Sequence, residues 1–115
     1  MVSGKYNRVK GHTFEREVAA ALRVAMKDPA IKRSIQYRGG ASDGADVIAG
    51  PFHIECKRQK KPRIVAAYEQ ACKDCPEGGY PMAVTKANRS EALATLALVD
   101  FLDLLTELWE LREAK

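Results

Sequence analysis

The sequence predicts one α/β domain in which a central mixed β-sheet is flanked by helices. The chain has 115 residues, a length that suits a single domain with one core. Short runs of β-branched and apolar residues, separated by turn residues, predict strands. Longer runs with apolar residues at helical spacing predict helices. Strands and helices that alternate along a chain are typical of a sheet covered by helices.

A first helix is predicted over residues 13–27. Its apolar residues recur at helical spacing, and Asp28-Pro29 ends the pattern. Thr13 is a suitable N-cap, and Glu15 and Glu17 lie in the first turn, where the helix dipole favours acidic side chains. The two glutamates lie on opposite flanks of the apolar stripe, so either one is able to reach a site at the sheet edge. The stripe comprises Phe14, Val18, Ala21, Leu22 and Ala25.

Two polar stretches flank this helix. Residues 1–11 are basic and contain two glycines, so we expect a flexible basic arm from which Lys10 reaches phosphate. Residues 34–38 alternate in the manner of a short strand, and residues 39–44 form a Gly-rich polar loop. Glycines allow close approach of the backbone to a ligand, and Ser42 is able to donate to phosphate. A plain connecting loop is the alternative.

The centre of the predicted sheet is a hairpin. Its strands cover residues 45–49 and 52–57, and Gly50-Pro51 forms the turn between them. This register places Asp46 directly opposite Glu55, whereas a bulge at the proline would shift the pairing. It also pairs Ala49 with Phe52 and Val47 with Ile54.

One face of this hairpin is expected to carry chemistry. Because side chains alternate along a strand, Lys57 shares the face of Asp46 and Glu55, and the opposite face is apolar. Two adjacent carboxylates repel each other unless a cation lies between them, and hard oxygen ligands suit Mg²⁺ or Mn²⁺. A lysine beside them is able to hold or polarise a water for phosphodiester hydrolysis. From the residues alone, a surface strand pair with a cross-strand salt bridge is the alternative.

A basic run follows this site directly. Its adjacency to the carboxylates favours contact with a nucleic acid, although such clusters are commonly solvated surface charge. The expected contacts are Arg58, Lys60, Lys61 and Arg63. A second helix is then predicted from Pro62 to the Pro76-Gly79 turn, and Gln70 on it is a further site candidate. Its apolar face comprises Ile64, Tyr68, Ala71, Cys72 and Cys75.

The C-terminal part predicts a strand over residues 80–86 and a final helix. Residues 91–99 between them are rich in Ala and Leu, which favours a helix by propensity. The apolar arc of the final helix, which includes Leu105 and Trp109, is wider than one packing face needs. The helix can therefore pack on the sheet and still offer surface to a partner.

Charge is divided unevenly along the chain. Residues 1–63 carry 14 Lys/Arg and six Asp/Glu, whereas residues 64–115 carry five and nine. A basic half that contains a carboxylate pair fits a polyanionic substrate. No apolar run approaches the roughly 20 residues of a membrane span, and the N-terminus lacks the apolar core of a signal peptide. We therefore expect a cytoplasmic protein.

Cysteine and histidine usage suggests no site of its own. Three cysteines are an odd number, so a disulfide framework is not expected and buried free thiols are the default. A zinc site from Cys72 and Cys75 with Cys56 or His53 would lack a second ligand pair. His53 shares the face of the carboxylates in this register and is either a surface histidine at a turn or an acid–base group.

Three motifs in order resemble the PD-(D/E)xK nucleases and, among them, the archaeal and phage Holliday-junction resolvases. Asp46, followed after eight residues by Glu55-Cys56-Lys57, is similar to the D…ExK signature. Residues 10–17, KGHTFERE, resemble the KGxxxERE opening of the resolvases. Residues 38–46 resemble their Arg- and Gly-rich approach to the metal aspartate. Ala45 departs from the pattern, because the superfamily name has proline there.

The resemblance covers about residues 8–60 and implies a restriction-endonuclease-like core. Its element order is α-β-β-β-α-β. It also implies a fifth strand within residues 91–99, which we adopt, followed by a final helix that Asp100 caps.

The resemblance also assigns the site. It makes Glu15, rather than Glu17, the glutamate that completes a metal site. The other implied ligands are Asp46, Glu55 and the backbone carbonyl of Cys56, with Lys57 orienting or activating the water. Arg38 is the implied phosphate contact before the metal aspartate.

The implied activity is Mg²⁺- or Mn²⁺-dependent endonucleolytic cleavage of DNA, with paired hydrolysis of four-way junctions as the first expectation. A nuclease of the same fold that cuts duplex, flap or single-stranded DNA is one alternative, and a DNA-binding module with an inactive site is another. Because one domain offers one site and a junction needs two nicks, we expect a homodimer. The apolar arc of the final helix is the expected interface, unless it packs wholly within its own chain.

Overall fold

The centre of the molecule is a mixed β-sheet. A computed structural model describes residues 4–34 and 44–115, apart from the side chains of residues 4–9. Within these residues the sheet has four strands in chain order: β1 (Val47–Ala49), β2 (Phe52–Arg58), β3 (Tyr80–Lys86) and β4 (Leu93–Thr95). The β2–β3 pair is parallel, and the two outer pairs are antiparallel. The described helices are α1 (Gly4–Met26), α2 (Ile64–Asp74) and α3 (Leu98–Glu113).

One face of the sheet packs against α1 and forms the main hydrophobic core. Side chains on alternate positions of β2 enter this core, as the pleat of a strand requires. Val18 and Leu22 of α1 cover it from above, one turn apart on the same helix face. The buried members are Phe14, Ala19, Ile31, Val47, Ala49, Ile54 and Cys56.

The other face of the sheet packs against α2. The buried residues of this helix are the small Ala67 and Ala71, which let its backbone approach the sheet closely. Glu55 and Thr85, which alternate with the core positions of their strands, are the buried polar residues of this second face. The sheet thus has an apolar side under α1 and a partly polar side under α2.

The predicted hairpin is confirmed. Ala49 pairs with Phe52 and Val47 with Ile54, so the turn contains only Gly50 and Pro51. Gly50 adopts a φ of 55°, which a glycine tolerates without strain. The proline therefore causes no bulge.

The start of α1 differs from the prediction. The helix begins at Gly4, not at Thr13, so residues 4–11 are helical where we expected an arm. The prediction of an arm rests partly on the two glycines of this stretch, but a glycine inside a helix costs only about 1 kcal/mol relative to alanine. A contact far along the chain accompanies the extension, because Lys10 Nζ donates to Asn88 Oδ1 at 3.0 Å.

The predicted strand over residues 34–38 and the loop over 39–44 lie mainly outside the described residues. What is described fits a strand beside β1. Arg33 forms an isolated antiparallel bridge with Val47, and Ser34 N donates to Asp46 O at 2.7 Å.

The C-terminal part agrees with the prediction in type and differs in detail. The strand predicted over residues 80–86 is β3, and the fifth predicted strand is the three-residue β4. α3 begins at Leu98 with Ala97 as its N-cap, so Asp100 lies in the first turn and does not cap the helix. Asp100 still lies where the helix dipole favours an acidic side chain.

Two further details of the helices bear on later arguments. Cys72 of α2 is exposed, so the predicted apolar face of this helix is wrong at that position. No residue of α3 is buried. None of the described helices is both long enough and apolar enough to cross a membrane.

Candidate metal and nucleic-acid site

The hairpin brings two carboxylates together at the edge of the sheet. Asp46 directly precedes β1 and lies opposite Glu55 of β2, and both residues are buried although they are acidic. The amide of Cys56 donates to Asp46 Oδ2 at 2.8 Å, and Ser34 N donates to the backbone oxygen of Asp46. Asp46 is thus hydrogen-bonded to β2 on one side and to Ser34 on the other.

α1 adds a third carboxylate to this pair. Burial and, after it, the neighbouring Asp46 carboxylate raise the pKa of Glu15 to about 7. Arg33 opposes this effect, since its Nη1 lies 3.4 Å from Glu15 Oε2. Glu17 of the same helix is exposed, so the structure brings only one of the two candidate glutamates to Asp46.

Glu55 is perturbed in the same direction. Burial raises its pKa to about 8, with the Asp46 carboxylate as the second cause. Lys57 opposes the shift, and its Nζ lies 3.9 Å from Glu55 Oε1. Asp74, on α2, raises the pKa of Glu55 a little more.

The three carboxylates are linked through Asp46. Burial and the charge of Asp46 raise the pKa of both glutamates, and hydrogen bonds that connect each of them with Asp46 add to the rise. Among residues 4–34 and 44–115, no three His, Cys, Asp or Glu side chains already surround a common point as ligands of a metal would. The raised pKa values of Glu15 and Glu55 fit a crowded acidic cluster, because a carboxylate near another negative charge holds its proton more strongly.

This donor set fits a hard divalent cation. Carboxylate oxygens are the ligands that Mg²⁺ and Mn²⁺ prefer, and a cation would replace these protons as the source of positive charge. Asp46 is fixed by its hydrogen bonds, so Glu15 and Glu55 are the side chains that would turn to bind. The fit of this site to a divalent cation therefore rests on carboxylates that lie close together and hold their protons strongly.

The Cys56 side chain does not belong to this donor set. Its thiol points into the core under α1, and burial, followed by the nearby carboxylates, raises its pKa above the usual value. A metal contact from this residue would have to come from its backbone carbonyl, as the resemblance implies. Cys56 also lies on the opposite side of the sheet from the α2 cysteines. The expectation of buried thiols is wrong for Cys72, which is exposed.

Lys57, which lies beside Glu55, also lines a pocket next to α2. The pocket has a volume of about 190 Å³ and is lined in part by Lys57, Arg63 and Gln70. Gln70 Nε2 donates to Asp74 Oδ2 at 2.9 Å. The structure therefore places the polar candidate of the second helix next to the candidate lysine.

The expected DNA contacts are spread over two sides of the sheet. Lys60, Lys61 and Arg63 are exposed in the segment between β2 and α2. Arg58 is the next residue after Lys57 along β2, so it points to the α1 side. Arg38 and Ser42 lie outside the described residues.

Two residues near the site were missed from the sequence. Arg33 pairs with Glu15, and Asp74 acts on Glu55. Both partners come from distant positions in the chain, so no local pattern indicates them. His53 lies at the other end of β2 from Lys57, where its ring is close to Cys75 and Gly79.

A comparison of the chain with models of known protein families, with curated proteins and with solved structures finds no match. The resemblance to the nucleases therefore rests on the motifs alone. Of these motifs, the structure describes the glutamates of α1, the aspartate before β1 and the Glu55–Lys57 segment of β2.

Proposed function

We propose that this protein is a Mg²⁺-dependent DNA endonuclease with a restriction-endonuclease-like core. The observation that carries the proposal is the position of Asp46, which lies opposite Glu55 and is hydrogen-bonded to both glutamates of a three-carboxylate cluster beside Lys57. Buried acids with raised pKa values and one nearby lysine are a costly arrangement that fits a catalytic role better than a structural one. The exposed basic segment after β2 supports a polyanionic substrate.

In this proposal the cluster binds the metal, which supplies Lewis-acid activation of the phosphodiester and of water. Asp46 and Glu55 hold the ion, Glu15 completes the site, and Arg33 positions Glu15 through their ion pair. The Lys57 ammonium orients the attacking water and stabilises the charge that develops on the phosphate.

Removal of one carboxylate tests this assignment. Asp46→Asn and Glu55→Gln keep the side-chain shape and remove the charge, so cleavage in Mg²⁺ should be lost while DNA binding in EDTA persists or tightens. Glu69→Gln, an exposed change on α2, is the matched control and should cleave like the wild type. Near-normal cleavage by either site variant would show that the cluster is not the active site.

Lys57→Arg separates chemistry from simple charge. A planar guanidinium does not replace a compact ammonium beside a water, so this variant should be as inactive as Lys57→Ala. Full activity of Lys57→Arg would reduce the residue to a general phosphate contact.

Four-way DNA junctions are the proposed substrate. The motif resemblance supports this choice, and the fold itself would equally serve a nuclease of duplex, flap or single-stranded DNA. Incubation of the protein with each of these four substrates in Mg²⁺ or EDTA distinguishes them. Binding without any metal-dependent cleavage would favour the alternative of a DNA-binding module.

We propose that a second copy of the chain covers the apolar face of α3. Leu98, Leu105 and Trp109 lie on one stripe of this helix, and Trp109 is 57% exposed. The stripe is completed by Phe101, Leu102 and Leu108, all of them exposed.

The orientation of α3 supports this occupant. The pKa of Tyr80, on the sheet, is raised by burial and then by Asp103, Glu107 and Asp100 of α3. The charges of the acidic flank of the helix thus act on the sheet, whereas the apolar stripe on its other flank is exposed. A chain that needs two sites for two nicks supplies the same stripe twice about a two-fold axis.

The apolar stripe fits an antiparallel pairing of the α3 helices of two protomers, with Leu105 at the centre. This pairing sets Phe101 of one protomer opposite Trp109 of the other, and Leu102 opposite Leu108. α3 is roughly 24 Å long, so these contacts would run along most of the helix.

Sedimentation of wild type and Trp109→Glu at micromolar concentration tests the interface. The wild type should be a dimer and the variant a monomer, whereas Val24→Glu, at an exposed apolar position of α1, should stay dimeric. Leu105→Cys in a Cys72→Ser background should form a disulfide-linked dimer on oxidation. A dimeric, folded Trp109→Glu protein would place the interface elsewhere.

A further inference from the structure

The carboxyl ends of β2 and β3 place two cations side by side. Arg58 pairs with Lys86 in the parallel register, so the two side chains point to the same face of the sheet. That face is the one covered by α1, because Cys56 and Val84 on the same rows belong to the core. Like charges on paired residues of neighbouring strands are destabilising unless an anion lies nearby.

Two more cations join this pair from other elements. α1 brings Lys10 to the turn after β3, where Lys10 Nζ donates to Asn88 Oδ1 at 3.0 Å. Arg89, in the same turn, is exposed and adopts a φ of 59°, a left-handed conformation that is uncommon for a residue other than glycine. We call the set of Lys10, Arg58, Lys86 and Arg89 the basic corner.

Within the described part of the chain, none of the four members of the basic corner forms an ion pair. Lys86 Nζ donates to the carbonyl oxygen of Ser90 at 2.7 Å. A carbonyl oxygen carries no formal charge, so this hydrogen bond does not neutralise the lysine. Arg58 Nε is buried and has no hydrogen-bond partner among these residues. A buried donor without a partner typically costs about 1–3 kcal/mol, so an acceptor such as a phosphate oxygen or a water that it binds would stabilise this position.

A polymeric anion fits the position of the basic corner better than a small one. Arg58 follows Lys57 directly, and the two side chains leave β2 on opposite faces of the sheet. The exposed Lys60 and Lys61 continue from the same end of β2. Cations therefore surround the carboxyl end of the sheet, from the pocket beside α2 to the turn after β3.

We propose that the basic corner binds the sugar-phosphate backbone of DNA on the opposite side of the sheet from Lys57. This inference rests on the proposed nuclease function and deepens it by adding a second backbone contact, to which Lys86 and Arg89 are new contributors. Lysine and arginine contacts of this kind position a nucleic acid and do not read its sequence.

The salt dependence of binding tests the basic corner. The double variant Lys86→Ala/Arg89→Ala removes two of its cations without touching the partly buried Arg58. Binding of a four-way junction and of linear duplex is measured in EDTA over a range of salt concentrations. The slope of log K against log salt should flatten by about two units if both residues contact phosphate.

The double variant Lys73→Ala/Lys115→Ala is the matched control, since it removes the same charge at two exposed positions elsewhere. Its slope should equal that of the wild type. An unchanged slope for Lys86→Ala/Arg89→Ala overturns the proposal, as does an equal flattening by the control. Binding of the wild type to anionic phosphatidylserine vesicles that depends on Lys86 and Arg89, with an unchanged DNA slope, would reassign the basic corner to lipid.

The outcome of the salt-dependence test is independent of the cleavage test of the proposed active site. If Asp46→Asn still cleaves DNA and the slope flattens, the active-site assignment fails and the basic corner stands. If Asp46→Asn is inactive and the slope does not change, the nuclease stands and the basic corner fails.

Discussion

α1 and α3 are both amphipathic helices, but the apolar face of α1 is buried and that of α3 is exposed. Phe14 of α1 is 2% exposed, whereas Phe101 of α3 is 48% exposed. α1 lies over two strands of the sheet, and its stripe closes the core. α3 follows the three-residue edge strand β4, and none of its residues is buried. Apolar periodicity therefore predicts a helix without indicating which surface will cover it.

The same contrast extends to function. Packing of α1 on the sheet brings Glu15 to Asp46, so burial of its apolar face also builds the site. α3 contributes no residue to the carboxylate cluster. In the proposed function, α1 therefore contributes to the candidate site and α3 to the proposed interface between two copies.

The largest effect in this comparison is expected at Glu15 of α1. Glu15→Gln should lower the cleavage rate roughly 10- to 100-fold, the usual loss when a residue that supports a metal site is removed. Glu17→Gln, on the exposed flank of the same helix, should cleave like the wild type. Single-turnover cleavage of a junction in Mg²⁺ measures both, and the reverse order would mean that the other glutamate serves the site.

Matched phenylalanine truncations compare the two helices directly. Phe14→Ala should lower the free energy of unfolding by about 3–5 kcal/mol, because it leaves a cavity in the core. Phe101→Ala should lower it by less than about 1 kcal/mol, since the side chain is half exposed within its own chain. Urea unfolding in the Trp109→Glu background, which is expected to be monomeric, makes the comparison. Similar losses would show that α3 packs on its own domain after all.

The pH dependence of stability tests the carboxylate cluster without DNA. In the folded protein the pKa of Glu15 is about 7 and that of Glu55 about 8, both above their usual 4.5. The folded state thus binds more protons than the unfolded state, and these groups should cost stability as the pH rises from about 4.5 to about 8.

Thermal melting in EDTA at pH 5, 7 and 9 measures this loss. Mg²⁺ should reduce it, because the cation replaces the protons, and Glu55→Gln should flatten the curve relative to the wild type. If the melting temperature of the wild type depended on pH in the same way as that of Glu55→Gln, the raised pKa of Glu55 in the folded protein would be contradicted.

The smallest effect concerns the first turns of α1. A Cβ on Gly11 would meet no atom within 4 Å, and Gly11 lies inside the helix. Gly11→Ala should therefore raise the free energy of unfolding by about 0.5–1 kcal/mol. Gly78→Ala has equal space but a φ of 90°, so it should destabilise. If Gly11→Ala has no effect, residues 4–11 do not form a stable part of the helix.

Local patterns predicted the elements that carry the site. Alternation and the Gly50-Pro51 turn were sufficient to place Asp46 opposite Glu55, because a two-residue turn leaves one register. The strand β3 was equally clear. The order of the described elements also follows the prediction, although the strand β4 was predicted by the motif resemblance and not by local propensity.

Features that depend on distant contacts were not predictable. The two glycines of residues 1–11 favoured an arm, and nothing local indicates that Lys10 reaches Asn88. The ion pair of Arg33 with Glu15 likewise joins two elements. The exposure of Cys72 follows from how α2 rotates on the sheet, which its small residues Ala67 and Ala71 determine.

The two-residue turn also constrains how this part of the chain can vary in length. Eight residues separate Asp46 from Glu55, and nearly all of them are committed to paired strand positions or to the turn. One residue inserted into either strand would rotate Glu55 toward the core and bring Ile54 or Cys56 to the site. Related sequences should therefore tolerate length changes here in steps of two, while the segment between β2 and α2 is free to change by any number.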